Sequence, residues 1–375
     1  GDEKVPAEAD HDANLAEFMD ERELDQIASD AIDGFEIDVR SRREWAKAYI
    51  RGLDLMGMKI EDRTEPWPGA SGVFHPILTE SVVRFQAQAM GEIFPPSGPV
   101  RTKIIGSMTT DIMDQAERVE TEMNYLMTEV MPEYRDEMEM LLFRLALAGS
   151  AFKKVYYDPI CEVPVAMFVP VEDFVVNYGA SDLKRAERYT HRMKKTKDEL
   201  DALMFSGFYR DLDLPAPTAE WSDIQEKYNE MSGESPSLTD DDRHTILEVH
   251  MNLQPEGQFA DPDGLSRPYV VTVEKSSRKV LAIRRNWYKD DQKKLKRMHF
   301  VHYRYLPGMG FYGMGLIHML GGLTESATAI LRQLIDAGTL ANLPAGLKAK
   351  GLRIKGDNAP FYPGEFRDVD VGAGT

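Results

Sequence analysis

Cysteine is almost missing from this chain. Cys161 is the single one in 375 residues, which excludes an internal disulfide and fits a reducing compartment. Long apolar runs are missing too. No stretch approaches the roughly 18 residues of a membrane-spanning helix, and no charged-then-apolar leader opens the chain, so it reads as a soluble protein made in the cytosol, with no membrane contact. Positive charge is scarce. Against 63 Asp and Glu stand 45 Lys and Arg, a formal net charge of −18, which excludes attraction to nucleic acid by the molecule as a whole. The signatures of common catalytic sites are absent as well: no G-x-x-x-x-G-K-[ST] phosphate loop, no H-E-x-x-H, no Cys/His ligand spacing, no G-x-S-x-G. His244 and His250 share a strand face but are too far apart to chelate alone, and His299 and His302 point to opposite faces. Acid pairs such as Glu120 and Glu122 read as a solvated helix face. No catalytic residue, cofactor or metal is expected.

What is present divides into a helical first half and a strand-rich middle. Residues 1–34 carry about ten excess negative charges. Helical periodicity starts at Leu15 and resumes in "VRSRREWAKAYIRGLDLMGM", where Trp45, Tyr49, Leu53 and Met56 fall on one face. After the loop "EPWPGASGVFHP" come a helix stopped by Pro95 and Pro96, a strand "VRTKIIG", and two further helices. "AFKKVYYD", "VPVAMFVP" and "EDFVVNY" read as strands. Thr196 and Glu199 form a capping box for "KDELDALMF", and residues 213–243 look like an exposed excursion. Strands return in "HTILEVHMNL", "RPYVVTVE", "KVLAIRR" and "RMHFVHYRY", close enough in sequence to pair antiparallel. The fold class is therefore α+β. Twenty methionines suggest adaptable packing or interfaces. The last residues, "DVDVGAGT", suggest a chain that continues further in nature.

Three features ask for a function. Gly308, Gly310 and Gly313 spell G-x-G-x-x-G between a strand and a helix. The dinucleotide reading fails on context: no second strand follows, Glu325 and Asp336 lie inside the helical pattern, and Phe311 and Tyr312 are bulky where a pyrophosphate needs close approach. The remaining reading is a bend from sheet into helix, with Gly310 and Gly313 expected at positive φ. The second feature is a basic block at 275–304, including Lys275, Lys279, Arg284, Arg285, Lys294, Lys296 and Arg297. It is either a nucleic-acid contact, a solvated hairpin, or a set of partners for acidic neighbours in an oligomer. The third is the helix from Gly315 to Leu340, 26 residues and about 39 Å long. Leu320, Leu323, Ile330 and Leu334 belong to one narrow apolar seam, and Glu325, Arg332 and Asp336 to a polar line on another face. Such a helix packs beside others of its kind.

These residues resemble the portal, or head-to-tail connector, proteins of tailed bacteriophages, in their large podovirus-like branch. The resemblance rests on "WPGASGVFHPILTESVVRFQAQAMGEIFPPSGPVRTKIIG", on "LAGSAFKKVYYDP" followed by "VPVEDFVVNYGA", and on the run from "FYGMGLIHML" to "GEFRDVDV". It implies a structural protein, not an enzyme, forming a ring of twelve at the capsid vertex. The ring would contact capsid protein, a packaging motor, tail or adaptor proteins, and double-stranded DNA passing through its channel. The location implied is the virion, and the host cytoplasm during assembly. By the same resemblance, 1–66 is an acidic helical region and 67–310 a wing. Residues 311–342 are hinge and first stem helix, with Gly308, Gly310 and Gly313 at the hinge, and 343–375 begin a clip. Lys348, Lys350, Arg353 and Lys355 would serve docking at the clip, where Lys348 and Lys350 share one strand face and Arg353 and Lys355 the other. A second stem helix and a crown are absent from this chain. The rivals are another oligomeric virion scaffold or adaptor, and an enzyme with an unrecognised site.

Overall fold

The computed structural model describes residues 11–57, 62–158, 162–218, 222–232, 242–342, 346–349 and 366–369. In chain order the helices are α1 (Glu21–Ser41), α2 (Arg43–Asp54), α3 (Ile77–Ile93), α4 (Thr110–Tyr125), α5 (Glu133–Ala148), α6 (Lys197–Phe205), α7 (Asp223–Ser232) and α8 (Leu316–Asn342). The strands are β1 (Ser150–Asp158), β2 (Val163–Val169), β3 (Phe174–Val176), β4 (Arg188–Lys195), β5 (His244–Leu253), β6 (Arg267–Glu274), β7 (Lys279–Arg285), β8 (Phe300–Arg304), β9 (Gly346–Ala349) and β10 (Phe366–Val369). Two compact units are formed: residues 1–50 with 84–315, and residues 51–83 with 316–375.

The larger unit is built on a five-stranded antiparallel sheet in the order β3-β4-β5-β6-β7. Strand alternation sorts its residues onto two faces. Leu247, Val249, Val271 and Val273 meet Leu24, Ile27, Ala28, Ala31, Ile32 and Phe35, the apolar face of α1. That face follows helical spacing, and each large side chain it buries stabilises the unit by roughly 1.5–3 kcal/mol. Asp20 starts α1 by accepting the Arg22 N–H, so the expected helix at Leu15 is instead a short 3-10 turn, Leu15–Glu17, followed by a fresh start. Ile246, out of phase with Leu247, lies with Leu200 of α6, and α6 carries both halves of the Thr196–Glu199 capping box.

A second sheet, β2-β1-β8, is covered by Met138, Leu141, Leu142 and Leu145 of α5. Phe152 and Phe300 of this sheet meet Phe174 of the larger one at 4.2 and 4.7 Å between rings. Beside them sits a buried polar group. Lys154 Nζ donates to Glu248 Oε2 at 2.7 Å, and His250 Nε2 lies 3.0 Å from Glu248 Oε1. Burial alone would raise the Glu248 carboxyl; Lys154 and His250 outweigh it and hold it well below the usual carboxylate range.

One expectation is overturned here, and one strand was not expected. "VRTKIIG" is not a strand: it satisfies its backbone on α4 side chains, Val100 N–H donating to Asn124 Oδ1 and Thr102 N–H to Glu120 Oε2, both at 2.9 Å. β4, "RYTHRMKK", is a strand that the charge-rich sequence hid. The basic block is largely engaged within the chain. Lys279 pairs with Asp25 and Lys294 with Asp261. Arg284 and Arg285 donate to the Asp12 and His11 carbonyls, and Lys296 to that of Ala186. Three of these cations, Lys279, Arg284 and Arg285, reach the amino-terminal region, two of them through backbone carbonyls.

Candidate functional site

The glycine run belongs to the larger unit. It leaves β8 and closes on itself through a bridge in which Met314 N–H donates to the Leu306 carbonyl at 2.9 Å. Phe311 and Tyr312 are its anchors, exposed by only 0% and 2%. Phe311 stacks on His302, which stacks in turn on Phe152, each pair 4.6 Å apart. Tyr312 stacks on Trp45 at 4.6 Å, and its hydroxyl accepts the Val176 N–H and donates to the Val176 carbonyl. Arg42 is buried beside it and donates to that hydroxyl and to the carbonyls of Val171, Glu172 and Phe174. Neither Arg42 nor Tyr312 was singled out by sequence as a fixing point. The signal was there, an adjacent aromatic pair inside a glycine run.

Positive φ at Gly310 and Gly313 is overturned. Neither has a left-handed backbone, and the left-handed residue is Gly149, φ 85°, which ends α5. The glycines are needed for close approach. A Cβ on Gly313 would stand 2.2 Å from the Gly149 carbonyl oxygen, one on Gly308 2.2 Å from that of Tyr312, and one on Gly310 2.6 Å from the Tyr178 ring. Two backbones therefore run against each other where a side chain cannot fit. Two amides of the run that a phosphate would need are already used: Phe311 N–H donates to the Tyr178 carbonyl, and Gly313 N–H to Ser150 Oγ at 2.8 Å.

α8 belongs to the smaller unit, whose boundary falls between Gly315 and Leu316. Its two faces are used in a way the sequence did not reveal. The polar line is clasped by the loop leading into α3. Asp336 accepts the Ser71 N–H at 2.8 Å and lies 3.8 Å from Arg63. Arg332 donates to the Val73 carbonyl at 2.7 Å and sits 4.4 Å over the Phe74 ring. Thr328 accepts the His75 N–H, and Glu325 pairs with Arg51 at 2.8 Å in the open. The apolar seam is bare: Leu323, Ile330 and Leu334 are 56%, 65% and 69% exposed, and Leu320 is half-buried. At about 100° per residue the seam and the clasped stripe are centred roughly 170° apart, on nearly opposite sides of the helix.

Past α8, β9 and β10 pair in parallel, with Lys348 in register with Asp368. Lys350, Arg353 and Lys355 lie outside the described residues. Among the described residues no group of three His, Cys, Asp or Glu could hold a metal ion, and no helix is long and apolar enough to cross a membrane.

The family model for the phage SU10 portal protein matches residues 102–352, two thirds of the chain, spanning both sheets, the glycine bend and α8. This chain belongs to that family. No curated protein matches it. The portal family is structural rather than enzymatic in general, and its members are virion components that assemble as rings with capsid and tail partners.

Proposed function

We propose that copies of this portal-family chain close into a ring, of twelve subunits as the resemblance implies. The ring would be set at a capsid vertex around a channel through which double-stranded DNA is packaged and later ejected. The observation that carries this reading is the bare seam of α8. A helix that covers its polar line with its own loop and exposes Leu323, Ile330 and Leu334 needs neighbours for its apolar side. In a ring each helix meets the next by the same operation, so one seam serves every copy. On this reading Arg332 and Asp336, engaged by the loop, serve to fix the helix's rotation. The net charge of −18 suits a conduit, because phosphate contacts by Lys and Arg would grip DNA that has to slide. The glycine bend lets the chain turn tightly as it leaves β8. The clip charges Lys348, Lys350, Arg353 and Lys355 are assigned to docking of motor, tail or adaptor. Particle mass and negative-stain images of the purified protein test the reading. A ring with an axial hole is expected, and a stable monomer under all assembly conditions would refute it.

A further inference from the structure

α4 has a clear apolar stripe and buries none of it. Ile112, Val119 and Met123 lie on one face and are 38%, 53% and 39% exposed, and no residue of the helix is buried. Just before it, Ile105 and Met108 are 93% and 72% exposed. The segment at Val100 and Thr102 holds the helix by Asn124 and Glu120, along another side, so the stripe stays open. The arm is also strongly acidic. Between Thr110 and Val130 six carboxylates, Asp111, Asp114, Glu117, Glu120, Glu122 and Glu129, face a single cation, Arg118.

Elsewhere in the same unit lies a surface of opposite character. A cleft of about 470 Å³ opens beside β2 and β4, lined by Lys154, Arg192, Lys194, Lys195 and Arg243 with one carboxylate, Asp173. Counting Glu248 behind Lys154 and Glu199 beside Lys195 and Arg243, five positive charges stand against three negative, in a molecule whose net charge is −18. Met167, Phe168 and Pro170 add apolar lining, so the cleft offers both charge and grease. No residue of the arm lines the cleft of its own chain. A head-to-tail ring needs two unlike, complementary surfaces on every copy, and these two match in sign and in apolar content.

We propose that the α4 arm of one copy docks in the cationic cleft of the neighbouring copy, its stripe on the apolar lining and its carboxylates against the lysines and arginines. This rests on the ring reading above and assigns the contact between neighbours outside α8. The test is carbodiimide cross-linking of rings assembled from a mixture of unlabelled and ¹⁵N-labelled protein, read by mass spectrometry. Links from Glu117 or Glu122 to Lys194 or Lys195 are expected, in mixed-isotope pairs. The paired charge reversals E117K/E122K and K194E/K195E should each weaken association roughly tenfold, and combining them should restore it. All four side chains are on the surface or at the cleft, and circular dichroism checks that each variant folds. Rings without arm-to-cleft links, or with links inside single copies only, overturn this proposal and leave the ring reading intact. Cleft lysines that cross-link to added DNA while the arm stays unlinked overturn it in favour of a nucleic-acid site. Absence of any ring overturns both.

Discussion

At the scale of single residues, the glycines separate two physical reasons for the same amino acid. Gly313 has no left-handed φ to protect, yet a Cβ there would sit 2.2 Å from the Gly149 carbonyl oxygen and 2.8 Å from that of Leu306. Backbone atoms yield only by moving β8 or the end of α5, so Gly313→Ala should cost about 1–3 kcal/mol. Gly322, inside α8, is the internal control: nothing lies within 4 Å of the place a methyl group would take there. Gly322→Ala should stabilise by about 0.5–1 kcal/mol, since it only removes chain entropy from a helix. Thermal melts of the two variants decide this, and equal melting temperatures would show that the approach of the two backbones constrains nothing. Ser150 adds a further point of contact, its Oγ accepting the Gly313 N–H and lying 3.0 Å from His302 Nε2. The bend is thus held by a hydroxyl, a ring stack and absent side chains together.

At the scale of elements, α8 puts its two faces to separable uses. Leu334 is 69% exposed, so Leu334→Asp should leave the isolated chain within about 0.5 kcal/mol of its original stability and abolish ring formation, because a charge in an apolar seam has no partner. Asp336→Ala leaves the Ser71 N–H unpartnered and should lower chain stability by about 1–3 kcal/mol before any assembly. Denaturation and particle mass, measured on both, separate them; if both variants move the same observable, the division of faces is wrong. Beyond α8, reversing Arg353 and Lys355 should leave rings intact and impair packaging or tail attachment, reversing Lys348 and Lys350 should give a different defect, and wild-type packaging and attachment in both double variants would remove the docking role. Helical spacing made the line of Trp45, Tyr49, Leu53 and Met56 legible from sequence, as it did the two stripes of α8. It could not say which stripe is covered, because the clasp is made by backbone N–H groups of Ser71 and His75, which no pattern displays. β4 was hidden for a related reason. Its inward residues, Tyr189 and His191, are polar types held in an aromatic setting, and the strand carries Arg188, Arg192, Lys194 and Lys195. "VRTKIIG" erred the other way, with strand-forming residues whose backbone partners are side chains.

At the scale of the whole molecule, charge is polarised along the sequence and recombined by the fold, and the same fold withdraws several titrating groups from water. Four of the eight histidines are shifted downward, each first by burial: His191 to about 3, His302 to about 3, His299 to about 4, and His250 in the same direction. Cationic neighbours add to this, Lys154 at His191 and Arg304 at His302. Between about pH 6.5 and pH 4 the unfolded chain binds protons that the folded chain refuses, so stability must fall as the pH falls through that window. Glu248, held low by Lys154 and His250 against its burial, acts in the same direction at more acid pH. Glu172 acts in the opposite sense: burial raises its carboxyl, and protonation there relieves a cost. Three or four imidazoles outnumber that one group, and each can contribute on the order of 1–3 kcal/mol by pH 4. Chemical denaturation across pH 4–8 should therefore show a steep acid limb starting near pH 6.5, well above the usual carboxylate range. His191→Leu provides the decisive comparison. His191 Nδ1 is buried without a hydrogen-bond partner, so an apolar replacement forfeits no bond at that atom and removes one refused proton. The variant should match the parent above pH 7 and lose part of the acid limb below 6. An unchanged limb would mean that the buried carboxylates, rather than the imidazoles, set the acid stability of this portal-family chain.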